Sequence, residues 1–414
     1  MRCDVLAIGT ELLLGFTVDS NGAEIGRSLA EVGVRVVRRT AVGDDLPSIR
    51  GAVGEALART GTVITTGGLG PTADDITKAA VAGLFGARLT FDDGVWEALV
   101  ERFARFGRVP TANNRGQAEV PEGATVLPNR WGTAPGLLLE GAPGRVFMLP
   151  GVPVEMRNLL REFVVPRLST GSEGRVIRSA TVRTTGIAES TLAERMGDLE
   201  EVIAPVTLAY LPGLGSVDLR VTAWDVPAGK ADAVLEQASG LAADRAGIHA
   251  YGRGEADLAA VVLGELGRRG LTLAVAESCT GGLLGGRLTA VPGSSSHFLG
   301  GVIAYANETK ERLLGVPGAL LGSEGAVSGP VAREMAIGAA RTLGASVGVA
   351  ITGIAGPDGG TLDKPVGTVW MGFALPGGSD AVLRKLVGTR REVRGRAVQQ
   401  CLFELWCRLR DLPE

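Results

Sequence analysis

The chain has 414 residues, 45% of them hydrophobic and 21% charged, which suits a cytoplasmic globular protein of several domains. A net charge of −3 without any Lys/Arg block leaves no basic footprint for direct nucleic-acid binding. The four cysteines form no CxxC pair, there are two histidines, and no apolar run approaches the ~18 residues that span a bilayer, so a disulfide framework, a structural zinc and a membrane partner are all unexpected.

Residues 1 to about 170 alternate strand and helix. Short apolar runs at Cys3–Ile8, Val34–Val42 and Thr62–Thr66 read as strands. Asp19 and Ser20 offer a cap for an amphipathic helix to Val32, Leu46–Ala58 is a second helix, and a third follows from about Asp74 to Phe85. A charged helix over Gly94–Phe106, a hairpin of Gly136–Leu139 with Arg145–Leu149, and a helix near Val154–Leu168 complete the stretch. This alternation predicts an α/β doubly wound sheet, largely parallel, with helices on both faces. Residues 171–251 differ. A strand over Val176–Thr184, a hairpin of Val206–Leu211 with Val217–Trp224 and a helix over Ala228–Arg245 make a small α+β module. Residues 252–414 form a second α/β unit, with strands at Leu271–Ala276, Gly300–Ala304, Val347–Thr352, Gly367–Leu375 and Ala381–Leu386. Its long helices fall at Pro330–Leu343 and Glu392–Arg410.

In this last unit, polar loops follow buried strands: Ala276–Glu277–Ser278–Cys279–Thr280–Gly281–Gly282, Tyr305–Ala306–Asn307–Glu308–Thr309–Lys310, the glycine-rich stretch from Thr352 to Gly360, and Gly388–Thr389–Arg390. Each alone is an ordinary capping loop. Strand-end loops of such sheets converge, however, and a ligand site there is the natural reading. His297 lies in an apolar stretch, so a Ser–His–Asp triad is poorly supported. A serine activated by a partly buried lysine fits better, with Ser278 and Lys310 the best-placed pair. Cys279 stays open as a rival nucleophile, although a small buried residue is its commoner role.

The motifs AESCTGG, YANETK, Gly325–Ala326–Val327–Ser328, TGIAGPDGG and KPVGTVW occur in that order, and together they resemble the CinA C-terminal domain, which also occurs alone as a bacterial nicotinamide mononucleotide deamidase. The resemblance implies hydrolysis of that carboxamide to nicotinate mononucleotide and ammonia, without a cofactor. By position, Ser278 would be the nucleophile and Lys310 its base. Tyr305 and Thr352 would line the nicotinamide pocket, with Gly353 and Gly356 in the glycine-rich loop, and Arg390 would hold the phosphate. Backbone N–H groups of Thr280, Gly281 and Gly282 are the expected oxyanion donors.

Near the N-terminus, the stretch from Thr65 to Thr77 joins a buried strand to a helix through Gly67, Gly68 and Gly70. Glycines at a helix start can cradle a phosphate. The spacing is neither a Walker motif nor a dinucleotide fingerprint. Glu11 follows the first strand and Asp44 and Asp45 the second, so several strand ends carry polar side chains suited to a nucleotide and a divalent cation. GTELLLG, DSNG, TTGGLGPTADDIT, NNRGQA and MLPGVPVEM resemble the CinA N-terminal domain, itself similar to the MoaB/MogA molybdopterin-binding fold. That resemblance implies an ADP-ribose pyrophosphatase using a divalent metal (Mg or Co), with potassium a further candidate. Asp75, Asp74, Asp45 and Glu11 would be the metal carboxylates, and Thr72, Thr77 and Asn21 would join the glycines in binding substrate. The alternative is a pterin- or nucleotide-binding platform without catalysis, in a protein acting through partners in competence or the DNA-damage response. A homodimer is the expected assembly, and nicotinamide mononucleotide and ADP-ribose the expected ligands.

Overall fold

The computed structural model describes residues 1–170 and 174–412. The expected boundary between residues 170 and 171, and the last two residues of the C-terminal stretch, lie outside that range. Contacts divide the chain into two compact units, one of residues 1–178 with 223–234 and one of residues 179–222 with 235–414. Most of the middle module therefore lies with the C-terminal residues.

The first unit carries strands β1 Arg2–Ile8, β2 Arg35–Val42, β3 Thr62–Thr66, β4 Leu89–Phe91, β5 Glu119–Pro121, β6 Thr125–Leu127, β7 Gly136–Gly141 and β8 Gly144–Leu149. Six form one sheet in the order β2-β1-β3-β8-β7-β6, and β4 and β5 pair separately. Strands β1, β2, β3 and β8 run parallel, while β7 is antiparallel to both β8 and β6. The sheet is thus mixed, because the hairpin adds antiparallel strands to a parallel core. Alternate residues along each strand feed opposite faces. Leu6, Val63, Met148 and Leu137 pack under helices Leu46–Thr60 and Thr77–Phe85. Val5, Ile64, Phe147 and Leu138 pack under helices Ser20–Ala30 and Pro153–Leu159. The single helix expected near Val154–Leu168 is instead three segments, with a π-helical stretch Leu160–Val164 between Pro153–Leu159 and Val165–Ser169. Pro166 has no N–H to give to an α-helical bond, which accounts for the wider turn before it.

Strands β9 Arg175–Thr184, β10 Thr207–Pro212, β11 Val217–Pro227 and β12 Ala250–Arg253 make a four-stranded sheet in the order β10-β11-β9-β12, with the expected β10–β11 hairpin. The second unit's main sheet has the order β14-β13-β15-β16-β17, from β13 Leu273–Glu277, β14 Phe298–Ile303, β15 Val347–Gly353, β16 Thr368–Leu375 and β17 Gly378–Lys385. Helices Leu258–Arg268 and Arg390–Asp411 bury Leu273, Val349, Met371 and Phe373 on one face. Helix Gly329–Leu343 covers Ala274, Ala276 and Ala350 on the other. This helix approaches very closely. A Cβ at Gly348 would lie 2.0 Å from Ala336 O, and one at Gly372 would lie 2.0 Å from Ala332 O. The small residues on that face are what allow the contact.

Candidate functional site

Strands β13, β14 and β15 are parallel, with Glu277 level with Ile303 and Ile351. Strand β16 is antiparallel to both β15 and β17. The loops after β13, β14, β15 and β17 therefore leave from one edge of the sheet. They carry Ser278, Tyr305 with Lys310, Gly353 with Gly356, and Arg390, so the residues expected from separate motifs meet at one place.

Lys310 is 1% exposed, on the helix Asn307–Leu314. Its Nζ lies 2.9 Å from Ala304 O, 3.0 Å from Tyr305 O and 3.4 Å from Ser278 Oγ. Burial pulls the Lys310 pKa below its ordinary value, outweighing the nearby Cys279 and Glu308. A neutral amine has two N–H bonds and one lone pair. Two carbonyls satisfy the N–H bonds, which leaves the lone pair for the serine hydroxyl. Ser278 itself is nearly buried, with its N–H fixed on Ile351 O at 2.9 Å.

The rival groups fare differently. Burial pushes the Cys279 thiol up to about 11, so its thiolate is disfavoured. His297 lies at the other end of β13, where its carbonyl accepts from Leu273 N and its ring meets Leu271 O. Five strand residues at ~3.3 Å each separate that end from Ser278, so a histidine triad is excluded.

The expected oxyanion donors need correction. Gly282 N–H donates to Glu277 Oε2 at 3.0 Å, and Gly281 N–H to Ser278 O at 3.2 Å. Among the described residues, Thr280 N–H is the one of the three without an acceptor. Glu277, nearly fully buried, also accepts from Leu284 N at 3.0 Å and Gly285 N at 2.8 Å. It caps the helix Leu283–Thr289 from the end of the strand and so fixes the loop that bears Ser278. Sequence reasoning missed this role, and it missed Arg394, whose Nη2 donates to Thr280 O at 2.7 Å. Thr280 Oγ1 and Arg394 Nε are buried without a partner among the described residues.

Around this centre, Arg390 begins the helix Arg390–Asp411 behind a Thr389 cap. Its guanidinium donates to Gly356 O at 2.7 Å and lies 3.4 Å from Tyr305 Oη. Both Arg390 and Tyr305 are exposed. Thr352 is buried, and its hydroxyl donates to Ala326 O at 2.8 Å, tying the Gly325–Ser328 segment to β15. Gly353 has no room for a side chain, since a Cβ would lie 2.8 Å from Thr368 O.

In the first unit, the ends of β1, β2 and β3 also share an edge, with Ile8 level with Val42 and Ala7 level with Thr66. Gly67 and Gly68 have φ of 109° and 66°, and a Cβ at Gly67 would lie 2.2 Å from Ile8 O. Only glycine takes that conformation cheaply. Thr77 Oγ1 closes the loop on Gly67 O at 2.9 Å. Asn21 bridges Thr66 Oγ1 and Gly151 O at 2.9 and 2.8 Å, and its Oδ1 is buried without a partner among the described residues. The four expected metal carboxylates are not gathered into a cage. Asp45 caps Ser48 N at 2.8 Å, and that bond lowers its pKa. Asp75 accepts from Thr72 N at 2.8 Å and Thr72 Oγ1 at 2.5 Å, beneath Gly70. A Thr72 hydrogen bond lowers the Asp74 pKa. Glu11 is exposed on the short helix Thr10–Leu13, and Asp44 joins it there by accepting from Thr10 N at 2.7 Å. Among the described residues no three His, Cys, Asp or Glu side chains are arranged to hold a metal ion. No described helix is long and apolar enough to cross a membrane.

Three family profiles match the chain: "Probable molybdopterin binding domain" over residues 4–170, "Damage-inducible protein CinA KH domain" over 179–268, and "CinA C-terminal domain" over 255–409. The solved structure of the protein CinA from Thermoplasma acidophilum is 35% identical where it aligns, covering 40% of this chain and 97% of that one, with a TM-score of 0.38. A CinA-like protein of Synechococcus is 47% identical over 96% of this chain and 94% of its own length. A CinA-like protein of Gemmatimonas aurantiaca is 54% identical over 98% of this chain and 96% of its own length, and with that likeness running from end to end the chain belongs to the CinA family.

Proposed function

We propose that the second unit hydrolyses the carboxamide of nicotinamide mononucleotide, releasing nicotinate mononucleotide and ammonia. The observation that carries this reading is the buried Lys310 amine, held by two carbonyls and facing Ser278 Oγ at 3.4 Å. Lys310 takes the hydroxyl proton as Ser278 Oγ bonds to the carboxamide carbon. The negative charge gathers on the carboxamide oxygen, where the free Thr280 N–H is the nearby donor. The C–N bond then breaks, and Lys310 returns its proton to the departing ammonia. Water attacks the resulting ester, gives its proton to Lys310, and the Ser278 oxygen leaves with that proton. Arg390 would meet the substrate phosphate, a group for which a guanidinium fork is well shaped. Incubating the purified chain with nicotinamide mononucleotide and separating the products tests this. Failure to form nicotinate mononucleotide would refute it.

For the first unit we propose metal-dependent hydrolysis of the pyrophosphate of ADP-ribose. A magnesium-like ion commonly takes one or two carboxylates and completes its shell with water and substrate phosphate. The dispersed carboxylates fit that arrangement and do not fit a resident protein cage. Asp75, Asp74, Asp45 and Glu11 remain the candidates to hold such an ion, which when bound would neutralise charge on the pyrophosphate. The glycine turn at Gly67 and Gly68, ahead of the helix Thr77–Phe85, supports a phosphate-cradling reading. The test is ADP-ribose turnover with Mg or Co, with and without a chelator, in the chain and in Asp75→Asn. Binding without turnover under every metal condition would leave the platform reading in its place.

A further inference from the structure

A cavity of about 600 Å³ opens in the first unit between the helix Asp93–Arg105 and the segment 126–135. None of the loop residues from Gly67 to Thr77 lines it. Val95 and Leu99 of the helix, with Val126 and Pro135 opposite, give it an apolar floor. Its rim carries Arg102, Arg105 and Arg130 together with the acids Asp92 and Glu101.

The wall is built before any ligand arrives. Asn129 Nδ2 donates to Ala134 O at 2.8 Å and to Glu155 Oε2 at 2.5 Å, while its Oδ1 accepts from the N–H groups of Trp131 and Gly132, both at 2.9 Å. Every hydrogen-bonding position of that amide is thus committed to holding the turn. Glu155 is buried beneath it, and a Cβ at Gly132 would sit 1.7 Å from the Glu155 carboxylate. Gln117 Nε2 reaches Thr133 Oγ1 at 3.3 Å and ties down the far end. A wall fixed in this way orders little further when a ligand binds.

Three arginines on the rim face two lining carboxylates, Asp92 and Glu101, so the lining keeps a net positive charge. Arg102 Nη1 donates to the Arg130 carbonyl at 2.8 Å, which brings the two arginines together, and the buried Glu155 carboxylate lies near enough to feel the Arg102 charge. The acid nearest Arg130 is Glu162, at the limit of contact, 4.0 Å. Among the described residues Arg105 has no ion pair. Asp92 also lines the cavity, but one of its oxygens is spent on capping Val95 N at 2.9 Å. A second hollow of about 380 Å³ shares Arg102 and Thr133 and adds Phe103, Phe106 and Arg108. Guanidinium groups therefore alternate with aromatic and aliphatic surface. That pattern suits an acid carried on a flat ring, which can rest on the apolar floor while its charge meets the arginine forks. The size is that of a small-molecule site. A nucleic-acid strand needs a longer basic track.

We propose that this cavity binds a small organic anion: a phosphate ester or a carboxylate on a flat apolar ring. The inference stands apart from both hydrolytic readings. Calorimetric titration of the full chain with 1-naphthyl phosphate and with 1-naphthoate tests it, and the tighter of the two identifies the kind of acid. Saturable binding at one site per chain is expected. Arg105→Ala and Arg130→Ala should each weaken it about tenfold or more, the worth of one charge-assisted contact. Ala98→Leu, an exposed change on a lining helix position that keeps every charge, should also weaken it by filling the floor. Unfolding midpoints close to the parent's would show that these variants fold. Absence of saturable binding by both probes overturns the proposal. So does undiminished binding in the Arg105→Ala/Arg130→Ala double variant or in Ala98→Leu.

Discussion

Replacing Lys310 by methionine keeps an unbranched chain out to the ε carbon, with sulfur in place of the δ methylene, and removes the amine. Three contacts disappear, at 2.9 Å to Ala304 O, 3.0 Å to Tyr305 O and 3.4 Å to Ser278 Oγ. Two carbonyls lose a donor in a buried setting, at about 1 kcal/mol each or somewhat more. Relief from desolvating the amine offsets part of that, so a net loss of about 1–2 kcal/mol in stability is expected. The effect on rate should be far larger. Without a base, deamidation should fall at least about a hundredfold, equivalent to about 2.7 kcal/mol of barrier. Ser278→Ala should lose as much rate with little change in stability. The double variant should be little worse than either single, because residues that act as a unit fail together. Cys279→Ala should keep most activity. The assay is chromatographic detection of nicotinate mononucleotide, paired with urea unfolding of each variant. A folded Lys310→Met within about tenfold of the parent rate would refute the base assignment. Cys279→Ala falling as far as Ser278→Ala, with both proteins folded, would refute the serine assignment.

The lowered Lys310 pKa gives the deamidase a rising pH profile, because the amine must be neutral to accept a proton. The rate should climb as pH passes the lowered value and level off before the ordinary 10.5. Between those two values the unfolded chain holds a proton that the folded chain lacks, so stability also rises with pH there. Both trends should flatten in Lys310→Met, and a Lys310-independent profile would contradict the assignment. Glu277→Gln replaces a carboxylate that accepts from three amides, at 3.0, 3.0 and 2.8 Å, with a group that turns an N–H toward them. Urea unfolding should show a loss of about 2–3 kcal/mol, and a change under about 0.5 kcal/mol would mean the helix start is held by something else.

Much of the fold is legible in the residues, for reasons that also mark where reading stops. Apolar runs such as Cys3–Ile8 and Val347–Thr352 lie within a residue or two of β1 and β15, since buried parallel strands leave an unbroken apolar signature. Strands β4, β5 and β6 have three residues each and no alternation to see. Their pairing comes from residues far along the chain. The helix expected from Asp74 begins at Thr77, because the Asp75 carboxylate is used in a turn with Thr72 before the helix starts. The same turn chemistry explains the metal carboxylates. Sequence counts Asp45 and Asp75 as wholly available acids, whereas a helix cap uses one oxygen of Asp45 and a turn with Thr72 uses one oxygen of Asp75. In the second unit, the order of motifs brings Ser278, Lys310 and Arg390 to notice. Glu277 has a faint local signal, a carboxylate five to eight residues ahead of amides at a helix start. Arg394 carries no local signal, because its partner Thr280 lies 114 residues away.

The helix Arg390–Asp411 also decides whether residues 252–414 can work alone. All but one of the residues in the larger core beneath it lie within that span, the exception being Tyr251, and the core on the opposite face of the sheet lies wholly inside. The site residues Ser278, Lys310 and Arg390 are within it as well. Cutting at Gly252, however, strips the cover from one side of the helix. His249 stacks on Phe403 with ring centroids 5.6 Å apart, and Thr185 Oγ1 accepts from Gln399 Nε2 at 3.1 Å. Gly186 sits so near the Phe403 ring that a Cβ there would lie 2.2 Å from it, and Leu214 packs on Gly395. Exposing Phe403 costs about 1.5–3 kcal/mol of burial, and the lost hydrogen bond about 1 kcal/mol more. The fragment should therefore fold, unfold at lower urea than the full chain, and keep its deamidase rate, since none of the lost contacts touches Ser278 or Lys310. Phe403→Ser in the fragment should recover solubility without changing the rate. A folded fragment without deamidase activity, beside an active full chain, would mean that the middle module holds the start of this helix, and Arg390 with it, in its working position.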